Sequence, residues 1–256
     1  MAGRKWTKDE LVLALNLYLK LPFGKMDQRT PEVIRLATLL GRTPGAIAMR
    51  LGNFANVDPY HQERGVHGLS GGRKQVEPIW EEFAKDRDTF LFESEKLLAE
   101  KDHKSIEDRF PSLRYETEGL VGATKEKLVK TRVNQYVFRD IVMANYSGKC
   151  AISGIDVAEL LVASHILPWS KSEAERLNPE NGICLSALYD RAFDRGLIGL
   201  KTDYSVIVSD ALRQRASKPY YQQYFSHLEN KTIELPTKYR SKKEFLEFHL
   251  KEVFLG

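Results

Sequence analysis

Three side chains in the second half of this chain carry hydrolytic potential: His165, Asp190 and Asp194. An imidazole titrates near neutral pH and can take a proton from a water within hydrogen-bond reach. The two aspartates are four apart in a segment, Ser186 to Phe193, that lacks Gly and Pro. A helix there places both carboxylates on one face. Like charges at that spacing repel, and the repulsion turns to attraction when a cation sits between them. A hard cation such as Mg²⁺ takes oxygen ligands and keeps several waters, so one or two carboxylates suffice to hold it. Two plainer readings stand beside this one. The pair can be a solvated acidic face interrupted by Arg191 and Arg195, and His165, next to Ile166, Leu167, Pro168 and Trp169, can be a hydrogen-bonded core residue.

The wider stretch narrows the choice. Ala163-Ser164-His165-Ile166-Leu167-Pro168-Trp169, then Asn181-Gly182-Ile183-Cys184-Leu185, then Asp190-Arg191-Ala192-Phe193-Asp194-Arg195-Gly196 resembles the HNH nuclease motif. The resemblance implies a ββα unit around one divalent cation, Mg²⁺ or Mn²⁺, that hydrolyses phosphodiesters. It makes His165 the general base and Asn181 the residue that steadies the loop and the base. Asp190 becomes a metal ligand, with Asp194 a further one a helical turn on. Ser164 stands where relatives commonly carry a His or Asp ligand, and Tyr189 where they often carry a histidine. A cation held by Asp190, Asp194, waters and substrate phosphate is expected to bind weakly before substrate arrives.

The likeness extends over about residues 126–256 through Arg132-x-x-Gln135-x-x-Phe138-Arg139, Cys150-Ala151-Ile152-Ser153-Gly154 and Leu246-Glu247-Phe248-His249, which resemble the HNH domain of restriction endonucleases. Many such domains hold a structural zinc between paired Cys-x-x-Cys knuckles, which takes four soft ligands. This chain has 2 cysteines, Cys150 and Cys184. No structural zinc is expected; Ile152, Ile155, Leu160 and Leu161 should fill that space, and the thiols should be buried.

At 256 residues with 42% hydrophobic content the chain suits two soluble domains, and no apolar run reaches membrane-spanning length. Met1 to Lys5 is basic, but the apolar residues that follow are laced with Asn16, Tyr18 and Lys20 and offer no small-residue cleavage site, so the reading is cytoplasmic. Charge falls in blocks. Residues 1–75 hold 12 Lys and Arg against 6 Asp and Glu, 76–118 hold 7 against 13, and 119–149 hold 6 against 2. Basic blocks attract phosphate backbones, although ordinary solvated surface can show such imbalance too.

The basic first block has a helical grammar. Thr7-Lys8-Asp9-Glu10 reads as a capping box, Thr30-Pro31 and Thr43-Pro44 each as a cap followed by proline at the first helical position, and Gly41 as a stop. Two short helices joined through Gly41-Arg42-Thr43 are laid out as a helix-turn-helix, leaving Arg42, Arg50 and Asn53 available to DNA. Residues 56–75 read as a long glycine-rich loop offering Arg73 and Lys74. His61 and His67 in it, without neighbouring thiols or carboxylates, read as polar surface.

Between Pro78 and Phe110 no Gly or Pro interrupts, which predicts an acidic helical connector over 76–125. After the motif, Leu197 to Val208 predicts further strand, with Asp203 at a turn and Ser205-Val206-Ile207-Val208 as its run, and Ser241-Lys242-Lys243-Glu244 a capping box opening a last helix on which His249 is structural. Tyr220, Tyr221, Tyr224 and Phe225 fit either base stacking or core packing.

The fold expected is α+β: an N-terminal all-α, helix-turn-helix-like domain (1–75), the connector (76–125) and a C-terminal ββα-metal HNH nuclease domain (126–256). The function expected is a metal-dependent DNA endonuclease of restriction type, with dependence on base modification left open, acting on double-stranded DNA as a homodimer because each chain has one site for two strands. Alternatives are a non-catalytic DNA-binding regulator on a decayed scaffold, and a homing or nicking nuclease.

Overall fold

The structure is a computed structural model that describes residues 4–66 and 68–256. It divides into two compact units, residues 1–137 and 138–256, and the chain passes from one to the other within a single long helix.

The first unit is helical: α1 (Lys8–Leu19), α2 (Pro31–Leu40), α3 (Pro44–Val57), α4 (Pro59–Glu63), α5 (Arg73–Lys85), α6 (Arg87–Lys101), α7 (Ile106–Arg109), α8 (Leu113–Glu116) and the start of α9 (Gly122–Asn145). The capping box at Thr7 and Glu10 forms, and Thr43 caps α3 through the Ala46 N–H. Thr30 does not cap α2; its hydroxyl donates to the Lys25 carbonyl at 2.7 Å. Helix α1 packs against α2, α3, α5 and α6, with Leu13, Ala14, Leu15 and Tyr18 fully buried. The expected connector belongs to this core. Its continuous helix breaks at Asp86, whose carboxylate accepts the Thr89 N–H at 3.0 Å and starts α6. Buried Glu95 then ties α6 to α1 and α7 by accepting from Asn16 at 2.7 Å, from Arg109 at 2.8 Å and from Lys20.

Residues 56–75 are not an open loop. Asp58 caps α4 through the Tyr60 N–H at 3.0 Å, and Gly68 lies on α3, where a Cβ would overlap the Gly52 carbonyl and meet the Asn56 nitrogen at 2.6 Å. The reading of His61 as surface is corrected too. It is buried against Phe23, the ring centroids 4.4 Å apart. His67 lies outside the described residues.

The second unit contains β1 (Leu161–His165), β2 (Gly182–Ser186), α10 (Ala187–Asp194), β3 (Ile198–Leu200), β4 (Val206–Val208), α11 (Asp210–Arg213), α12 (Pro219–Tyr224) and α13 (Lys243–Glu252). Strands β1 and β2 pair antiparallel with Leu161 opposite Ser186 and His165 opposite Gly182, and α10 leaves β2 directly and lies against both strands. The further strand expected after the motif forms as β4, and β3 pairs with it as a hairpin, with Asp203 accepting from the Ser205 N–H and hydroxyl at the turn. Helix α13 covers β3. Its first turn lacks the expected capping box: the cap residue is Lys242, with no side-chain bond, and the Ser241 carbonyl instead accepts the Tyr204 hydroxyl.

Both cysteines are buried and free, and burial pushes the Cys184 thiol up to about 12. Ile152 and Leu161 are buried near them, whereas Ile155 and Leu160 face solvent. Backbone bonds close the Cys150 turn instead: Gly154 N–H to the Cys150 carbonyl at 2.9 Å, and Cys150 N–H to the Ile155 carbonyl at 2.8 Å.

His249 is structural, as expected. It is 2% exposed, stacks on Phe193 at 3.7 Å, and bonds the Phe193 carbonyl through Nε2 at 3.0 Å. Burial, opposed only by that carbonyl, pushes its pKa from 6.5 down to about 4. A histidine whose folded pKa is depressed contributes stability above its unfolded pKa and loses it as pH falls through the folded one. Acid should therefore weaken the fold by up to about 3 kcal/mol between the two values, at 1.36 kcal/mol per pKa unit. Thermal melts of wild type and His249→Gln across pH 7 to 4 check this: the variant, less stable at neutral pH, should lose clearly less on acidification, and parallel curves would refute it.

Candidate functional site

His165 ends β1, and three contacts fix its ring. Its Nε2 bonds the Arg176 carbonyl at 2.9 Å, so that nitrogen carries the proton of the neutral ring. The Phe138 ring, from α9, stacks on it at 4.1 Å and 12° between planes. Trp169 meets its edge at 5.4 Å. Burial, the larger effect, pushes its pKa below the ordinary imidazole value, against the Arg176 carbonyl, which favours the proton; the Arg176 guanidinium pushes the same way as burial. The ring is thus neutral at neutral pH. Among the described residues its Nδ1 has no hydrogen-bond partner, and it is not among the atoms sealed from solvent. A neutral imidazole with one nitrogen committed and the other open is the form that accepts a proton.

Asn181 is 1% exposed and works through the loop. Its Oδ1 accepts the Leu167 N–H at 2.7 Å, while its Nδ2 donates to the Leu167 carbonyl at 3.2 Å and the Glu175 carbonyl at 3.1 Å. The amide thus clips the chain two residues after His165 to the chain just before Arg176, whose carbonyl orients the ring. Arg176 is held in turn, its Nε donating to the Trp169 carbonyl at 2.8 Å.

Gly182, opposite His165 in the ladder, is dictated by close approach. A Cβ there would overlap Val142 Cγ2 and meet Phe138 Cζ at 2.9 Å, displacing the ring on which His165 stacks. Arg139 fixes the other end of β1 by donating to the Leu161 carbonyl at 2.7 Å and the Ala158 carbonyl at 2.9 Å.

The expected helix carrying the aspartates is α10. Asp190 is half-buried and Asp194 exposed. Burial raises the pKa of Asp190 against the Ser164 hydroxyl and Arg191, which lower it. Asp194 is raised by desolvation and then by the Asp190 charge, against Arg191 and Arg195. Ser164 brings β1 to this helix: its hydroxyl lies toward Asp190, is 2% exposed, and makes no hydrogen bond of ordinary geometry. Two carboxylates with raised pKa values, one of them raised in part by its neighbour's charge, beside an orphaned buried hydroxyl, fit a hard cation. Among the described residues no group of three or more His, Cys, Asp or Glu side chains converges, so the protein supplies few ligands. His165 feels neither carboxylate.

The residues expected to meet DNA separate. Arg42 is not available: its Nε and Nη2 bond Glu10 at 3.0 and 2.6 Å, and Nη1 donates to the Arg4 carbonyl at 3.0 Å. Asn53 is also buried, donating to the Leu69 carbonyl at 2.6 Å. Arg50 lies over the Trp6 ring at 4.6 Å with its Nε and Nη1 unpartnered, and burial and then Arg42 lower its pKa. Arg73 is exposed and paired with Glu77 at 2.5 Å, and Lys74 is exposed.

Sequence reasoning missed Arg176 and left Phe138 without a role. The carbonyl of Arg176 has no residue-specific signature, and the only trace of Phe138 was its place in the lead-in to the motif.

Residues 150–201 match the family model described as HNH endonuclease. That span contains β1, β2, α10 and β3, and with them His165, Asn181, Asp190 and Asp194. An HNH endonuclease domain is therefore present, and it points to nuclease chemistry. No curated protein matches the chain.

Asn181→Ala should strip three hydrogen bonds from half-buried backbone groups, each worth about 1 kcal/mol. The expected result is a melting temperature several degrees lower, with Trp169 more exposed to fluorescence quenchers. An unchanged melt would contradict the clip.

Proposed function

We propose that this chain is a metal-dependent DNA endonuclease of restriction type. The observation that carries the reading is the His165 ring, neutral, locked through Nε2 and open at Nδ1. In hydrolysis, Nδ1 takes the proton of the water attacking phosphorus. Phe138 and the Arg176 carbonyl keep the ring from turning, and Asn181 keeps that carbonyl in place. Asp190 and Asp194, with Ser164 beside them, would hold Mg²⁺ or Mn²⁺, which when bound stabilises charge on the phosphate and the departing oxygen. Arg191 and Arg195, exposed on α10, add positive charge next to the carboxylates.

Sequence reading falls to the first unit. Helices α2 and α3, joined through Gly41-Arg42-Thr43, have the order of a helix-turn-helix, and Arg50, Arg73 and Lys74 are the contacts proposed for phosphate or base edges. One site per chain makes a homodimer the simplest way to cut both strands. No described helix is long and apolar enough to cross a membrane.

A second reading has one observation behind it. With no convergence of three ligands among the described residues and Ser164 at a ligand position, the domain would be a DNA-binding scaffold without catalysis. Plasmid incubated with the protein and Mg²⁺ or Mn²⁺ separates the two. The nuclease reading expects scission that chelator abolishes and that His165→Ala lowers by about 10²–10⁴-fold, the usual contribution of a general base. Full cleavage by His165→Ala would remove the assignment. Cut sites mapped on modified and unmodified DNA test the restriction role.

A further inference from the structure

The aromatic run at Tyr220 to Phe225 divides by direction. Phe225 is buried, meets Tyr189 edge-on at 6.2 Å, and lies 6.4 Å from Tyr221, which faces the same way. Tyr220 and Tyr224, four residues apart and so on one face of α12, are 43% and 40% exposed. Helix α12 is fastened to α10, because the Tyr189 hydroxyl donates to the Tyr224 carbonyl at 2.9 Å. Tyr189 directly precedes Asp190.

Charge favours the same surface. From Ala211 to Leu228 the chain holds 3 Lys and Arg and no Asp or Glu. Arg213 is paired with Asp210 and Glu229, but Arg215 bonds only its own helical carbonyl, Ala211, at 2.7 Å. Lys218 has no acidic partner among the described residues, nor do Arg191 and Arg195 on α10. Exposed ring faces flanked by unpaired cations suit a strand whose bases are free to stack and whose phosphates need neutralising. Duplex DNA keeps its base faces covered and cannot use the rings.

We infer that α12 is a single-strand platform: Tyr220 and Tyr224 stack on unpaired bases, while Arg215 and Lys218 hold the phosphates of the strand led to α10. The inference takes its location from the nuclease reading of α10, but binding alone tests it. Fluorescence anisotropy of a labelled oligothymidylate with the full chain, in chelator, gives the readout. Tyr220→Ala with Tyr224→Ala should weaken binding at least about fivefold, the low end for a lost base stack. The paired Phe substitutions should retain it, and affinity for duplex should not change. Arg215→Gln with Lys218→Gln should flatten the slope of log affinity against log salt by about 1.4, at 0.7 per phosphate contact on a single strand. A folded double-Ala variant that binds the oligothymidylate like wild type overturns the inference, as does wild type that does not bind it. Binding without plasmid scission would sink the nuclease reading and leave this one standing.

Discussion

One hydrogen bond, from His165 Nε2 to the Arg176 carbonyl, fixes the chemical form of the residue proposed to act on water. It assigns the ring's proton to one nitrogen and leaves the other as acceptor. Everything around it keeps that choice. Arg176 is placed by its guanidinium on the Trp169 carbonyl and by Asn181 on the Glu175 carbonyl. The ring's plane is set by Phe138, which has room only because residue 182 lacks a Cβ. A loop from Ile166 to Asn181 would otherwise be free to move the carbonyl, and the base would then lose both tautomer and aim.

The carboxylates answer a different constraint. Desolvation makes half-buried Asp190 a poor anion, and desolvation with the Asp190 charge does the same to Asp194, as their raised pKa values record. Arg191 and Arg195 moderate this without pairing closely enough to cancel it. The remaining unfavourable energy is what a divalent cation would relieve, and few protein ligands then mean that substrate oxygens complete its shell. Base and carboxylates need not touch. In the proposed hydrolysis one would act on water and the other, through a cation, on phosphate charge; they stand on successive elements, the end of β1 and α10.

Much of this was legible in the residues because it is local. The i,i+4 aspartates, the absence of Gly and Pro across α10, the turn at Asp203 and the caps at Thr7 and Thr43 are short-range signals, and each formed. What failed was long-range. Arg42 and Asn53 looked free on a helical wheel, which carries no information about Glu10 or about the Leu69 carbonyl folding back onto α3. Thr30 and Ser241 have cap chemistry but found other duties in tertiary structure. Gly68, read as part of an open loop, is instead a site of close backbone approach to α3. Phe138 stacks on a residue 27 positions away, and no periodicity links the two.

The second unit repeats one construction twice, and the difference isolates what makes a histidine reactive. Both His165 and His249 bond a backbone carbonyl through Nε2 and stack on a phenylalanine, at 4.1 and 3.7 Å, and burial lowers the pKa of both. The remaining nitrogen separates them. At His249, Nδ1 is sealed without a partner, a cost the packing of α13 on α10 and β3 absorbs, and the ring serves only as a strut. At His165 the same nitrogen is open, so solvent can reach an acceptor whose orientation is already settled. Because carbonyl bond, ring stack and burial are shared, none of them distinguishes the proposed base from the strut; the open Nδ1 of His165, at the last residue of β1, does.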